Sequence, residues 1–143
     1  MSCCGFQGGG TPGINVPGWF KFTITFADFP AVALTQSITL YTAPPATVLH
    51  GCKLKHSIIW TGPAITNYFL SLGVVGLPQA LMTEYDVKTT PIAGDEYALA
   101  QNFDGGNHTA NTIIQVTARA VGANLSTATA GTAEVWLLLS RAL

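Results

Sequence analysis

The sequence feature that most constrains the fold is a strict alternation of apolar and polar residues over short stretches. Trp19–Phe26 (WFKFTITF) and Thr112–Val121 (TIIQVTARAV) carry an apolar residue at every second position. Successive side chains of a strand point to opposite faces, so this period predicts strands with one buried face. A helix needs apolar residues three and four positions apart, and no stretch of normal helical length has that spacing.

Turn residues divide the rest of the chain into further short strands. Breaks fall at Pro44-Pro45 and Thr61-Gly62-Pro63, and Asp104–Asn107 (DGGN) predicts a hairpin turn. Many short strands with regular turn signals are typical of a β-sandwich or jelly roll, so we predict a single all-β domain of that class. About eight strands are predicted: Trp19–Phe26, Leu34–Tyr41, Val48–Trp60, Asn67–Val75, Thr83–Lys88, Glu96–Phe103, Thr112–Val121 and Thr132–Ser140.

Val48–Trp60 is long enough for one bent strand or for two. Unbroken alternation predicts that one side of it faces the core and the other faces outward. The predicted core side comprises Val48, Cys52, Leu54, Ile58 and Trp60, and the outward side comprises Lys53, Lys55 and Ser57.

Residues 1–18 differ in composition from the rest of the chain. They contain six glycines and two prolines and show no periodicity, which predicts an extended N-terminal arm. The remaining residues, 19–143, have the length of one domain. We therefore predict an arm over 1–18 and a β-sandwich domain over 19–143.

Charged residues are scarce. Only 9% of the 143 residues are Asp, Glu, Lys or Arg, whereas an ordinary soluble domain has about 25%. With 48% hydrophobic residues the chain is not intrinsically disordered, and a net charge of −1 argues against nucleic-acid binding. So few charges cannot cover a free monomer, so we expect other protein copies or partners to shield the surface.

Membrane insertion and secretion are not expected. The longest pure apolar runs, such as Val135–Leu139, fall far short of the 18–20 residues that a spanning helix needs. The N-terminus lacks the basic start and apolar middle of a signal peptide, which predicts synthesis in the cytoplasm. Cys3, Cys4 and Cys52 are then expected to be reduced thiols.

One spacing is compatible with a metal site. His50, Cys52 and His56 are two and four residues apart, so a regular strand would place all three on one face, as a three-ligand zinc array requires. However, ligands at i and i+2 lie about 6.8 Å apart along a strand, which is wide for one ion. Cys52 is equally explained as a small core residue, with the histidines at a bend. We therefore predict no metal and no cofactor.

Catalytic patterns are weak. Glu84 and Asp86 share a strand face at a separation that suits a pair of glycosidase carboxylates, but they are equally explained as solubilising charges. His108 follows a turn without a partner nearby in sequence. No nucleophile elbow, zinc-protease motif or phosphate-binding loop is present, so the chain is not expected to be an enzyme.

The aromatic residues leave a second function class open. Trp60 ends a strand beside a Gly-Pro turn and is the tryptophan most expected to be exposed. With Tyr68 it would form an aromatic groove for a sugar, as in a carbohydrate- or receptor-binding module. The alternative is that the rings pack in the core and at interfaces.

Two segments resemble small virion proteins of tailed bacteriophages. Residues 48–57 (VLHGCKLKHS) are similar to a V-x-H-G-x-K-[IL]-K-H-S stretch of those proteins, and residues 128–140 (ATAGTAEVWLLLS) are similar to their closing segment. Among such proteins, capsid decoration (cement) proteins are similar in size and β-rich. They usually sit as trimers on the outer shell, with N-terminal arms that reach over neighbours. The resemblance carries no catalytic residues.

The resemblance leaves open, as the alternative, that the carbohydrate- or receptor-binding module belongs to a phage tail or spike. It implies first a non-enzymatic structural protein on the capsid surface of a virion, assembled in the host cytoplasm. Its partners would be itself, as a homotrimer, and the major capsid protein. We expect apolar strand faces to bury against those partners. The predicted interface residues are Phe6, Ile14, Val16 and Trp19 from the arm and its end, and Trp136, Leu138 and Arg141 from the body.

Overall fold

The computed structural model describes residues 16–89 and 111–141 as a sandwich of two antiparallel sheets. One sheet has the order β1-β7-β3 and the other has the order β2-β6-β4-β5. The described strands are β1 (Gly18–Thr25), β2 (Thr35–Ala43), β3 (Thr47–Thr61), β4 (Asn67–Val74), β5 (Leu77–Asp86), β6 (Thr112–Val121) and β7 (Ala130–Arg141). Short 3₁₀ turns at Phe26–Asp28 and Leu125–Thr127 are the helical elements of these residues, and neither is long enough to cross a membrane.

The predicted fold class is confirmed. The described residues form seven of the predicted strands, and the chain crosses between the sheets from β1 to β2 and from β2 to β3, as in a jelly roll. The predicted strand Glu96–Phe103 and the predicted turn Asp104–Asn107 lie outside the described residues. The boundary between an arm and a domain stays a prediction, and β1 begins one residue before the predicted boundary.

The core lies between the two sheets and is built from the alternating positions. In β6, Ile114, Val116, Ala118 and Ala120 are buried, as the alternation predicts. Strand β7 contributes Val135 and Leu137, both fully buried, from every second position. At about 25 cal/mol per Å² of apolar surface removed from water, this burial is the main favourable contribution to folding.

Strand β3 is one continuous strand, and its predicted face assignment is wrong at two positions. Its pairing with β7 shifts between Leu49 and Gly51 and again on either side of Ile58. Each shift inserts an extra residue and changes which side chains point inward. As a result Leu49 rather than Val48 is buried, and Ile58 is 52% exposed. Cys52, Leu54 and Trp60 are buried as predicted.

Along one side, the two sheets are joined by hydrogen bonds between β3 and the residues that follow the end of β5. The Trp60 amide donates to the Val87 carbonyl at 3.1 Å, and the His56 ring donates from Nε2 to the Thr89 carbonyl at 2.8 Å. On the other side, β1 and β2 flank a groove of about 430 Å³ lined in part by Phe22, Ile38 and Leu40. The two sides of the sandwich are therefore built differently.

Candidate interaction surface

Three of the predicted interface residues lie on one surface, the outer face of the β1-β7-β3 sheet. Trp19 in β1 is directly opposite Leu138 in the central strand β7. Trp136 is two residues before Leu138, so its side chain points to the same face. Trp19 is 46% exposed, whereas Trp136 and Leu138 are half-buried. Neighbouring side chains on one sheet face interact directly, so the three residues form a continuous surface.

The register extends this surface across all three strands in cross-strand rows. Trp136 lies between Lys21 of β1 and Lys53 of β3. In the adjacent row, Leu138 lies between Trp19 and Gly51. The third row, on the other side of Trp136, is Thr23, Glu134 and Lys55.

We call this surface the Trp/Lys face. It consists of Trp19, Lys21, Thr23, Gly51, Lys53, Lys55, Glu134, Trp136 and Leu138.

The lysines of the Trp/Lys face lie over its indole rings. The Lys53 ammonium is 4.8 Å from the ring centroid of Trp19 and 5.5 Å from that of Trp136. Lys21 lies 5.7 Å from the Trp136 centroid. An ammonium within about 6 Å of an indole face is attracted by the ring quadrupole, so these contacts fix the positions of both groups.

The Trp/Lys face is positively charged. Lys21 forms an ion pair with Glu134 at 3.1 Å. Three lysines against this one carboxylate leave a net charge of +2 on the face, although the whole chain has a net charge of −1. Half of the six basic residues of the chain therefore lie on one side of one sheet.

His50 borders the Trp/Lys face at the bulge of β3. Its Nε2 lies 2.6 Å from the hydroxyl of Ser140, and Ser140 is only 4% exposed. The extra residue at the bulge turns His50 outward, away from Cys52. This contact joins β3 to the end of β7.

The other predicted interface residues are placed less closely together. Val16 is 53% exposed just before β1, and Arg141 is exposed at the last position of β7. Phe6 and Ile14 lie outside the described residues.

The lysines of the Trp/Lys face were not predicted as interface residues. Their signal was present in the sequence, because Lys21 is two residues after Trp19 and Lys53 is two residues before Lys55. The lysines are brought together because β1 and β3 pair with opposite sides of β7. This long-range pairing cannot be predicted from local sequence patterns.

The predicted aromatic groove around Trp60 and Tyr68 is wrong. Both side chains are fully buried, and their ring centroids are 4.8 Å apart in the core. Phe29 packs against Trp60 from another side at 6.0 Å. A β-carbon on Gly131, whose φ is +148°, would overlap the Trp60 ring, so the indole packs directly against that glycine backbone. These rings form part of the core and have no surface for a sugar.

The structure does not bring the histidines and Cys52 together as metal ligands. His50 points outward at the bulge, whereas Cys52 and His56 are buried on the core side. Within the two described ranges, no group of three His, Cys, Asp or Glu residues is placed to hold a metal ion. His108 lies outside the described residues.

Burial raises the pKa of the Cys52 thiol to about 11 and moves the pKa of the Tyr68 hydroxyl upward as well. The cause in both cases is the loss of water around the charged form. Cys52 is therefore a protonated core residue at neutral pH, and its thiol lies 3.7 Å from the Leu81 carbonyl. Such a thiol is a poor nucleophile and a poor metal ligand.

Glu84 and Asp86 make structural contacts. Arg119 donates from Nε and from Nη2 to the two carboxylate oxygens of Glu84, at 2.5 Å and 3.1 Å. This hydrogen-bonded ion pair raises the pKa of Arg119. Asp86 accepts from the Lys88 amide at 2.9 Å and from Asn67 at 3.1 Å. Asp86 therefore stabilises the turn that follows β5, and Glu84 stabilises the sheet through its pairing with Arg119 of β6.

The outer face of the other sheet differs in charge and composition. Arg119 pairs with Glu84 and lies 4.5 Å over the ring of Phe69, so its charge is balanced on the face itself. Beside it, the hydroxyls of Ser37 and Thr117 share a hydrogen bond of 2.7 Å. This face lacks the concentrated positive charge of the Trp/Lys face.

Comparisons with known proteins agree with this architecture. No protein-family model matches the chain, and no curated protein matches it significantly. A chain of the solved structure of the capsid of Ralstonia phage GP4 is similar, with 18% sequence identity and a TM-score of 0.64 over 93% of this chain and 90% of that one. A chain of the cyanophage Pam1 capsid asymmetric unit has 14% identity and a TM-score of 0.60 over 90% and 86%. The protein therefore has a fold that also occurs in phage capsid structures.

Proposed function

We propose that this protein is a capsid decoration (cement) protein of a tailed bacteriophage. In this proposal it assembles as a homotrimer in the host cytoplasm, binds the outside of the capsid lattice and stabilises the shell without catalysing a reaction. The observation that carries the proposal is the fold shared with chains of two phage capsid structures over 86–90% of their lengths.

Surface composition supports a covered protein. Trp19, Val32 and Leu34 are 46%, 80% and 51% exposed in a chain with only 9% charged residues. Large apolar side chains on a surface with few charges favour burial against other protein. The resemblance of residues 48–57 and 128–140 to virion proteins supports the same assignment, because those segments form most of β3 and β7.

The described residues considered as catalytic candidates have structural contacts. Asp86 accepts from the Lys88 amide, Glu84 accepts from Arg119, and Cys52 is a protonated core residue. The aromatic groove that would favour a glycan-binding module at Trp60 and Tyr68 is core packing.

Sedimentation with empty shells tests the proposal. Shells assembled without this protein are mixed with the purified chain and pelleted, and the native mass of the free protein is measured by light scattering. We expect saturable binding at a fixed ratio of trimers to shell subunits, together with greater resistance of the decorated shells to heat. A chain that stays in the supernatant at every concentration would contradict the proposal.

A further inference from the structure

We propose that the Trp/Lys face is the surface through which the protein binds the shell, and that it binds a protein surface rich in Asp and Glu side chains. This inference rests on the proposed function and assigns to it a face and a partner chemistry. It is carried by the register of β1, β7 and β3, by the positions of the lysines over the indole rings and by the charge of the face.

Charge favours an acidic partner. The Trp/Lys face has a net charge of +2 within a chain of net charge −1, so the positive charge is concentrated locally. Complementary charge across an interface steers association and rejects partners of like charge. The outer face of the other sheet, where Glu84 balances Arg119, offers no such complement.

The placement of Lys53 favours carboxylates over stacked rings. Its ammonium lies 4.8 Å from the ring centroid of Trp19 and 5.5 Å from that of Trp136. A sugar or a nucleobase needs an open ring face on which to stack. With the lysine over both rings, each indole presents apolar area beside a positively charged group rather than an open ring face. Tryptophan is enriched at the centres of protein interfaces, whereas charged side chains act mainly by complementing the charge of the partner.

The shape of the face leaves a recess for a partner side chain. A β-carbon on Gly51 would meet nothing within 4 Å, so the row of Trp19, Leu138 and Gly51 ends in open space next to Lys53. A partner side chain that enters this recess would contact Leu138 and lie next to the lysine.

Charge reversal at one lysine provides the main test. Lys55 is opposite Glu134 on the face, whereas Lys88 follows the end of β5 and is not one of the residues of the face. Lys55→Glu and Lys88→Glu change the net charge equally and are compared in binding to empty shells. We expect at least a tenfold loss of affinity for Lys55→Glu and less than a twofold change for Lys88→Glu. Equal effects of the two variants would overturn the inference.

Gly51→Glu gives an independent variant in case Lys55→Glu alters the strand. Its β-carbon clashes with nothing, so the melting temperature is expected to stay within a few degrees while shell binding falls at least tenfold. Binding of folded Gly51→Glu at the wild-type level would overturn the inference.

The partner class is tested with defined polyanions. Poly-glutamate is expected to compete with shells for the wild-type protein and to lose this effect against Lys55→Glu. Competition by single-stranded DNA or by alginate that equals that of poly-glutamate would show general polyanion binding and overturn the assignment to a carboxylate-rich protein. If the wild-type protein does not bind shells at all, the proposed function fails. If the wild-type protein binds shells and Lys55→Glu binds them as well as Lys88→Glu does, only the assignment of the Trp/Lys face fails.

Discussion

The three tryptophans of this protein lie in two regions that differ in burial and in the side chains that surround the rings. Trp60 lies in a core aromatic group with Phe29 and Tyr68, fully buried between the sheets. Trp19 and Trp136 lie on the Trp/Lys face, on the outer side of one sheet and in contact with lysines. The same residue type therefore stabilises the fold in one region and presents apolar surface for binding in the other.

The position of each ring relative to strand alternation decides between these two outcomes. Trp136 alternates with Val135 and Leu137, both buried, so it must face outward. Trp60 follows the bulges of β3, which return its side chain to the core after Ile58 has turned outward. One inserted residue is enough to move a tryptophan from one region to the other.

The largest expected effect comes from removing the core indole. Trp60→Ala leaves a cavity between Phe29, Tyr68 and the Gly131 backbone, so we expect a loss of about 3–5 kcal/mol in the free energy of unfolding. Urea denaturation followed by circular dichroism measures it. Any fraction that remains folded should bind shells with the wild-type affinity. A loss below about 1 kcal/mol would show that Trp60 is not a core residue.

The second largest effect is a pH dependence of stability that comes from Cys52, which is buried in β3 next to the outward-facing Lys53. Burial raises the pKa of the folded thiol to about 11 from an ordinary value of 9.0. Above pH 9 the unfolded chain loses this proton first. The stabilising contribution of the thiol is therefore complete below pH 9 and is lost as the pH rises towards 11. The loss amounts to about 2–3 kcal/mol.

Denaturation at several alkaline pH values measures this contribution. Cys52→Ala serves as the control, because it costs a constant amount at every pH and lacks the titrating group. The wild-type protein should lose more stability than Cys52→Ala between pH 9 and pH 11. Parallel pH profiles for the two proteins would contradict the buried position of the thiol.

The smallest expected effect on stability, with a large effect on binding, belongs to Trp19. It is 46% exposed at the edge strand β1, so Trp19→Ala should lower the free energy of unfolding by no more than about 1 kcal/mol. As an anchor of the Trp/Lys face it should weaken shell binding by at least tenfold. Thr42→Ala, at an exposed position of the edge strand β2 in the other sheet, is the control and should change neither quantity appreciably. Unchanged shell binding by Trp19→Ala would remove the distinction between the two tryptophan regions.

Much of this architecture is predictable from the sequence, and the failures have specific physical causes. Alternation in Trp19–Phe26 and Thr112–Val121 correctly predicted strands and their buried faces. It failed in β3 because a bulge has no local signature there. Val48 and Ile58 were therefore assigned to the wrong face, and His50 was placed on the same face as Cys52 and His56. Trp19, Trp136 and Leu138 were each predicted as interface residues. That they lie next to one another depends on the long-range pairing of β1 with β7.

The exposure of Trp60 was predicted wrongly for a related reason. A Gly-Pro turn after a strand end ordinarily marks the surface, yet here the strand end is held to Val87 and the ring packs against Gly131. Both contacts are remote in sequence, and local patterns do not contain them.

Hydroxyl-radical footprinting with mass spectrometry measures the solvent accessibility of each tryptophan of the intact protein separately. It therefore distinguishes the core tryptophan from the tryptophans of the proposed shell-binding face. The free protein and the shell-bound protein are labelled in parallel, and oxidation of peptides containing Trp19, Trp60 and Trp136 is quantified. We predict that Trp19 and Trp136 are labelled in the free protein and protected on the shell, and that Trp60 remains unlabelled in both. Labelling of Trp19 and Trp136 that is the same in the free and the shell-bound protein would show that the Trp/Lys face does not bind the shell.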